Sequence, residues 1–321
     1  MIPPVWADTL MFVGGLVAVI AGADGVVRGG SRIADRLGMP PLVIGLTIVA
    51  FGTSAPELVV SGGAAIRNEP GLAVGNVMGS TVANVGLIVG VGALIRPVDV
   101  HRRLLVRESP LLIFVLAIVM ALSWNGALGR LDGLALMTGF LIYLWFLFRW
   151  ASEGETTLPD VDEPGGGEGD GPVPRPVVDW SLTVAGLAGL LVGAHFVLEG
   201  ANSLARAFGI PDAVIGATMV AIGTSIPELA STAAAAIRGL GDIAIGNVIG
   251  SNVFNLGLVL GAAALLRPLQ MQPRQVVVQV IPALVFCIVL IPLAYTGMRV
   301  NRWEGLLLLS GYAGFVWWVL I

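Results

Sequence analysis

The sequence predicts an all-α integral membrane protein of about ten transmembrane helices, arranged as two inverted-topology five-helix repeats with discontinuous helices at the centre. Three observations carry that prediction. First, of the 321 residues 56% are hydrophobic and only 12% charged, with a mean hydropathy of +0.90, whereas a soluble domain is about a quarter charged. Second, sliding the chain by 171 positions superposes Gly22–Val98 on Gly193–Leu269 without a gap, roughly half the positions being identical. Third, each copy holds five apolar segments. An odd number makes the second copy enter the membrane from the opposite side, which is the plan of secondary transporters. Channels also use repeats, but usually around a symmetric pore.

Taken in order, the apolar segments cover residues 9–34, 41–66, 70–95, 105–123, 129–150, 180–205, 212–238, 242–266, 275–295 and 301–321. Each is long enough to cross a bilayer, and the internal Gly and Pro are tolerated where neighbouring helices satisfy the freed backbone. The first repeat is expected over residues 1–150, with its shared motifs in 45–98. The second is expected over 180–321, with its motifs in 216–269. Between them, residues 151–179 are rich in Pro and Gly and carry Glu153, Glu155, Asp160, Asp162, Glu163, Glu168, Asp170 and Asp179. This composition reads as a disordered acidic linker; it lacks the spaced Asp/Asn-Gly pattern of a calcium loop. The single cysteine, Cys287, excludes an internal disulfide framework. No basic residue precedes Arg28, so the first apolar stretch reads as a retained helix and not a secretory signal.

All 17 basic residues are Arg, and their distribution sets the expected orientation. With the N-terminus outside, Arg28, Arg32, Arg36, Arg96, Arg102, Arg103, Arg107, Arg149, Arg175, Arg238, Arg299 and Arg302 fall on the cytoplasmic side. Arg67, Arg130, Arg206, Arg267 and Arg274 fall on the other. The positive-inside bias thus places both termini outside and the acidic linker in the cytoplasm of a cell (inner) membrane protein.

The chemistry lies in two short motifs, each present twice. Gly52-Thr53-Ser54-Ala55-Pro56-Glu57 returns as Gly223-Thr224-Ser225-Ile226-Pro227-Glu228. Carboxylates and hydroxyls are expensive inside a bilayer, so a repeated cluster points to a two-fold ion site. Gly52 and Pro56 break the helix, since Pro removes a donor and disfavours helix for the residue before it. Such a break frees carbonyls, those of Ala50 and Thr53 among them, as hard oxygen ligands, with Glu57 just beyond; the copy offers Ala221, Thr224, Ser225 and Glu228. A simple proline kink accounts for the prolines but not for the glutamates.

The second motif runs from Gly75-Asn76 through Gly79-Ser80 to Asn84, and again from Gly246-Asn247 through Gly250-Ser251 to Asn255. Gly75, Gly79, Gly246 and Gly250 are read as close helix packing. Ser80 and Asn84 lie one turn apart and share a face, as do Ser251 and Asn255. Facing the broken helices, these four complete a cage of hydroxyl, amide and carbonyl oxygens around two carboxylates. Such a hard, doubly anionic cage suits calcium and sodium and not zinc or copper.

These two motifs, in duplicate and at matched spacing, resemble the alpha repeats of the calcium/cation antiporter superfamily, most closely its prokaryotic sodium/calcium exchangers. The resemblance covers essentially the whole chain. It implies a ten-helix fold and electrogenic exchange of calcium for sodium by alternating access. It also implies calcium binding by Glu57 and Glu228 with the carbonyls of Thr53 and Thr224. Sodium or central sites would involve Ala50, Ser54, Ser80, Asn84, Ala221, Ser225, Ser251 and Asn255. The first and sixth spans would be long helices that slide. Thr81 stands where the second copy has Asn252, and Ala83 where Phe is usual; neither is expected to be a main ligand. Asn255 replaces the Asp of potassium-dependent relatives, which argues mildly against potassium transport.

Protons could also neutralise the two carboxylates, giving a calcium/proton antiporter, but they need only the carboxylates and leave the four serines unexplained. An enzyme is not expected: the only histidines are His101 and His195, and no His-Glu-x-x-His or phosphate-cradling loop exists. Partners are expected to be calcium, sodium and the lipid bilayer, with no nucleic acid, cofactor or obligatory protein partner. Asp24, His195 and Glu199 are left unassigned.

Overall fold

The computed structural model describes residues 5–123, 126–152, 176–208 and 223–320. The expected linker (its residues 153–175), the start of the expected 212–238 span and Ala221 lie outside them. The described chain is helical throughout apart from four two-residue strands.

Helix α1 (Val5–Leu37) ends at Gly38, which takes a left-handed φ of +61°, while Met39 N–H reaches back to Ala34 O at 3.0 Å, a glycine-capped helix end. Pro40 and Pro41 then turn the chain into α2 (Pro41–Thr53), which is bent by 47° from α3 (Ala55–Ile66). After α4 (Pro70–Ile95) come strand β1 (Val98–Asp99) and α5 (Leu104–Leu122). Strand β2 (Ala127–Leu128) and α6 (Arg130–Ser152) complete the first half. The second half supplies α7 (Pro176–Ala207), α8 (Ile226–Ile237) and α9 (Gly241–Leu266). It closes with strand β3 (Leu269–Gln270), α10 (Pro273–Met298), strand β4 (Arg299–Val300) and α11 (Arg302–Leu320).

Seven of these helices are individually long and apolar enough to cross a membrane, and the bent pair α2–α3 makes eight. The apolar helices α8 and α11 occupy the places of two further expected spans. A multi-pass membrane protein is thereby established. The surface agrees: Trp6, Leu10, Ile20, Val59, Leu131 and Trp317 are exposed while the interior holds Asn, Ser, Thr and Glu. That arrangement is the reverse of a soluble fold.

The 171-residue offset carries over into the fold. Asn68 ends α3 with φ +63° and its counterpart Gly239 ends α8 with φ +74°. Strand β1 pairs antiparallel with β4, joining Val98 to Val300, and β2 pairs with β3, joining Leu128 to Leu269. The offset maps β1 onto β3 and, with one further residue, β2 onto β4, so each ribbon is the image of the other. Helix α5 separates β1 from β2, which places the two ribbons at opposite ends of a membrane crossing. The repeats are therefore inverted, and each ribbon ties a loop of one repeat to a loop of the other.

Among the interfaces that join the repeats, two bear on the site. Helices α1 and α7 run antiparallel with backbones in direct contact: a Cβ added at Gly22 would lie 2.5 Å from Leu190 N, and one at Gly193 2.7 Å from Val19 N. Arg36 meets Asp179 at 2.5 Å where the end of α1 passes the start of α7. The second interface sets α9 on α2, where a Cβ at Gly250 would lie 2.6 Å from Leu46 O and one at Gly246 2.8 Å from Leu42 O. These two glycines are the close-packing pair read from sequence. The matching surface for Gly75 and Gly79 falls outside the described residues.

Candidate functional site

The site lies where the break between α2 and α3 and the start of α8 meet the polar faces of α4 and α9. Pro56 has no N–H to offer the carbonyl of Gly52, so the chain bends there and α3 starts afresh. Glu57 sits in the first turn of α3 and Glu228 in the first turn of α8. Both are 0% exposed. The partial positive charge of a helix N-terminus favours a carboxylate in that turn, but it cannot replace hydration of a full charge.

Hydroxyls and amides surround the two carboxylates. Ser54 donates to Glu228 Oε1 at 3.0 Å across the repeat boundary. Ser80, on α4, donates to Glu57 Oε1 at 3.3 Å and lies 3.4 Å from Thr224 Oγ1 and 3.5 Å from Ser225 Oγ. Thr53 enters through its hydroxyl, donating to Asn247 Oδ1 at 3.2 Å, and its counterpart Thr224 donates to Asn76 Oδ1 at 3.3 Å. The Ala50 carbonyl still accepts Ser54 N–H at 3.0 Å and the Thr53 hydroxyl at 3.3 Å. The break does not leave that oxygen unpartnered. Ser251 and Asn255 are fully buried on α9 and Asn84 is buried on α4.

Sequence reasoning missed Asn76 and Asn247 as members of the cluster. Asn76 Nδ2 donates to the Glu57 carbonyl at 3.4 Å and to Ser61 Oγ at 2.9 Å. Asn247 Nδ2 does the same for the Glu228 carbonyl at 3.3 Å and Thr232 Oγ1 at 3.0 Å. Each asparagine thus holds the first turn of a glutamate helix while its Oδ1 receives a threonine from the opposite repeat. The signal was available: both occupy the second position of the duplicated Gly-Asn motif.

Several buried polar atoms have no hydrogen-bond partner among the described residues: Glu57 Oε2, Glu228 Oε2, Ser251 Oγ, Asn84 Oδ1 and both amide atoms of Asn255. Buried polar groups are normally satisfied. These oxygens, two carboxylate and the rest neutral, are of the hard type that calcium and sodium take. Among the described residues no group of three or more His, Cys, Asp or Glu could hold a metal.

The unassigned residues fall away from this centre. Asp24 pairs with Arg28 at 2.8 Å and accepts from Arg238 of the other repeat. His195 meets Glu199 at 3.4 Å on an exposed face of α7.

Comparison with known proteins agrees with this architecture. The family model described as "Sodium/calcium exchanger protein" matches residues 8–149 and 178–321. The chain is 37% identical to the "Putative antiporter CaxA" of Alkalimonas amylolytica, over 96% of this chain and 97% of that one. It is 34% identical to the "Sodium/calcium exchanger MaX1" of Methanosarcina acetivorans, over 94% and 95%. A solved structure of the sodium-calcium exchanger NCX_Mj, soaked with sodium and strontium, superposes with a TM-score of 0.82 at 32% identity over 97% of both chains. With a family match in both halves and the same fold over 97% of the chain, the chain belongs to the sodium/calcium exchanger family.

Proposed function

We propose that this protein is a secondary antiporter that exchanges calcium for sodium across the membrane, through the cage around Glu57 and Glu228. The observation that carries the reading is the pair of fully buried carboxylates, one from each inverted repeat, each with an oxygen that has no hydrogen-bond partner among the described residues. Two charges buried together cost several kcal/mol each unless compensated. One divalent ion, or enough monovalent ions, removes that cost. Rearrangement between outward- and inward-facing states is then favourable only for a loaded site, which turns a leak into coupled exchange.

In this reading Glu57 and Glu228 hold calcium with oxygens of Thr53 and Thr224. Ser54, Ser80, Ser225, Ser251, Asn84 and Asn255, with the carbonyls of Ala50 and Ala221, complete the sodium and central positions. The serines matter because sodium uses neutral oxygens that a proton would not need. Exchange of one calcium for more than two sodium ions makes transport electrogenic. The Arg distribution puts both termini outside and the 151–179 linker in the cytoplasm of the cell membrane. In keeping with that orientation, Arg103 and Arg107 lie over the Trp150 ring and Arg149 over Trp145 at the end of α6, where interfacial aromatics and snorkelling cations belong.

The test is uptake of radioactive calcium into proteoliposomes, comparing an outward sodium gradient with an outward proton gradient of equal size. Uptake driven by sodium supports the reading. Uptake driven only by protons would replace it with calcium/proton antiport.

A further inference from the structure

The two central asparagines are not equivalent, although the repeat makes them so in sequence. Asn84 Nδ2 donates to Asn252 Oδ1 at 2.8 Å, from α4 to α9. Under the 171-residue offset Asn84 becomes Asn255 and Asn252 becomes Thr81, since 84 + 171 = 255 and 81 + 171 = 252. The mirror bond would run from Asn255 to residue 81. That bond is not formed: Asn255 Nδ2 has no acceptor among the described residues, and the Thr81 hydroxyl is instead turned to its own helix, donating to Val77 O at 2.9 Å. Asn255 is consequently fully buried with neither amide atom partnered among the described residues, while Asn84 has only its Oδ1 unpartnered.

We infer that Asn252 is a positioning residue that fixes Asn84 as an oxygen donor to the ion cage, and that Thr81 withholds the same support from Asn255. An amide whose N–H is already engaged presents its oxygen without first choosing an orientation, and that choice is part of the cost of binding a cation. The cage therefore has one preset amide oxygen and one that must turn to meet each ion. This inference rests on the exchange reading for the identity of the ions.

Two substitutions test it in opposite directions. Asn252→Ala removes the acceptor and is expected to raise the half-saturating sodium concentration about fivefold, the equivalent of one hydrogen bond. The maximal rate should change by less than about twofold on that same argument. Thr81→Asn is of similar volume and supplies the missing acceptor. It is expected to lower the half-saturating sodium concentration by a comparable factor, a gain that loss of fold cannot imitate. The measurements are sodium-driven calcium uptake into proteoliposomes at varied internal sodium and, in parallel, the sodium-induced shift in melting temperature against a choline control. A Thr81→Asn protein with unchanged or weakened sodium response overturns the inference, as does an Asn252→Ala protein that responds like wild type. Wild-type uptake indifferent to the sodium gradient would instead overturn the exchange reading, and the melting shift would still decide whether the two residues tune sodium binding.

Discussion

Replacing either buried glutamate by glutamine separates charge from shape. Glutamine is nearly isosteric, and in each case one oxygen already has a donor: Ser80 for Glu57 at 3.3 Å and Ser54 for Glu228 at 3.0 Å. The new amide NH₂ takes the position of Oε2, which has no partner among the described residues, so packing and the inter-repeat bonds survive. Binding does not. At an effective dielectric of about 20 and a calcium–oxygen distance of about 2.4 Å, a divalent ion and one carboxylate attract by roughly 14 kcal/mol before dehydration is counted. If only a fifth of that remains as net stabilisation, about 3 kcal/mol, calcium affinity falls a hundredfold or more. Both glutamates are equally buried, so Glu57→Gln and Glu228→Gln should abolish exchange to a similar degree. The assay is sodium-driven calcium uptake into proteoliposomes, with size-exclusion behaviour and melting temperature as controls for folding. Near wild-type uptake by either variant would remove that residue from the cage and with it the paired-carboxylate mechanism.

Asn247→Ala should lower thermal stability by about 1–3 kcal/mol, because it strips a donor from the Glu228 carbonyl and Thr232 together; a melting curve matching wild type would show that the amide is dispensable to the first turn of α8. Gly250→Ala should cost exchange activity and roughly 1–3 kcal/mol of stability, since its methyl group would fall 2.6 Å from the Leu46 carbonyl and push α2 away from α9; unchanged uptake would mean this contact does not hold the broken helix in place. Replacing residues 153–176 by a short Gly/Ser segment should preserve calcium uptake, since the Pro/Gly-rich acidic composition offers little apolar surface to bury; loss of transport in correctly inserted protein would give it a mechanistic role. His101 lies 2.9 Å from Asp242, a hydrogen bond that raises the imidazole above its usual value, with Asp99 adding to the effect. Because the folded value is the raised one, the stabilisation is fully present below the unfolded pKa near about 6.5 and is lost as pH rises through the folded value. The melting-temperature advantage of wild type over His101→Gln should therefore be largest in mild acid and fade toward alkaline pH; a gap independent of pH would show that the charged pair is not what stabilises this loop.

Membrane class, duplication and inversion were legible in the chain because each is a local or self-referential property. Hydropathy is summed along a segment, and a repeat is found by comparing the chain with itself. The break at Gly52 and Pro56 and the carboxylate after it were legible for the same reason: proline acts on its immediate neighbours, and a glutamate in an apolar run has no other inexpensive use. What the sequence could not assign was the partner of each group. Ser54 serves the glutamate of the opposite repeat, 174 positions away, and Asn84 finds Asn252 at a separation of 168. Asn76 and Asn247 drew no assignment from the sequence, and the fold sets each against a glutamate helix. The Thr81 substitution read as a silent departure, since its hydroxyl satisfies itself within one turn and only the missing mirror bond at Asn255 reveals it. A side chain's chemistry is written in its own residue, but whether a hydrogen bond forms depends on which other helix comes within about 3 Å, and that distance is set only when both repeats have packed.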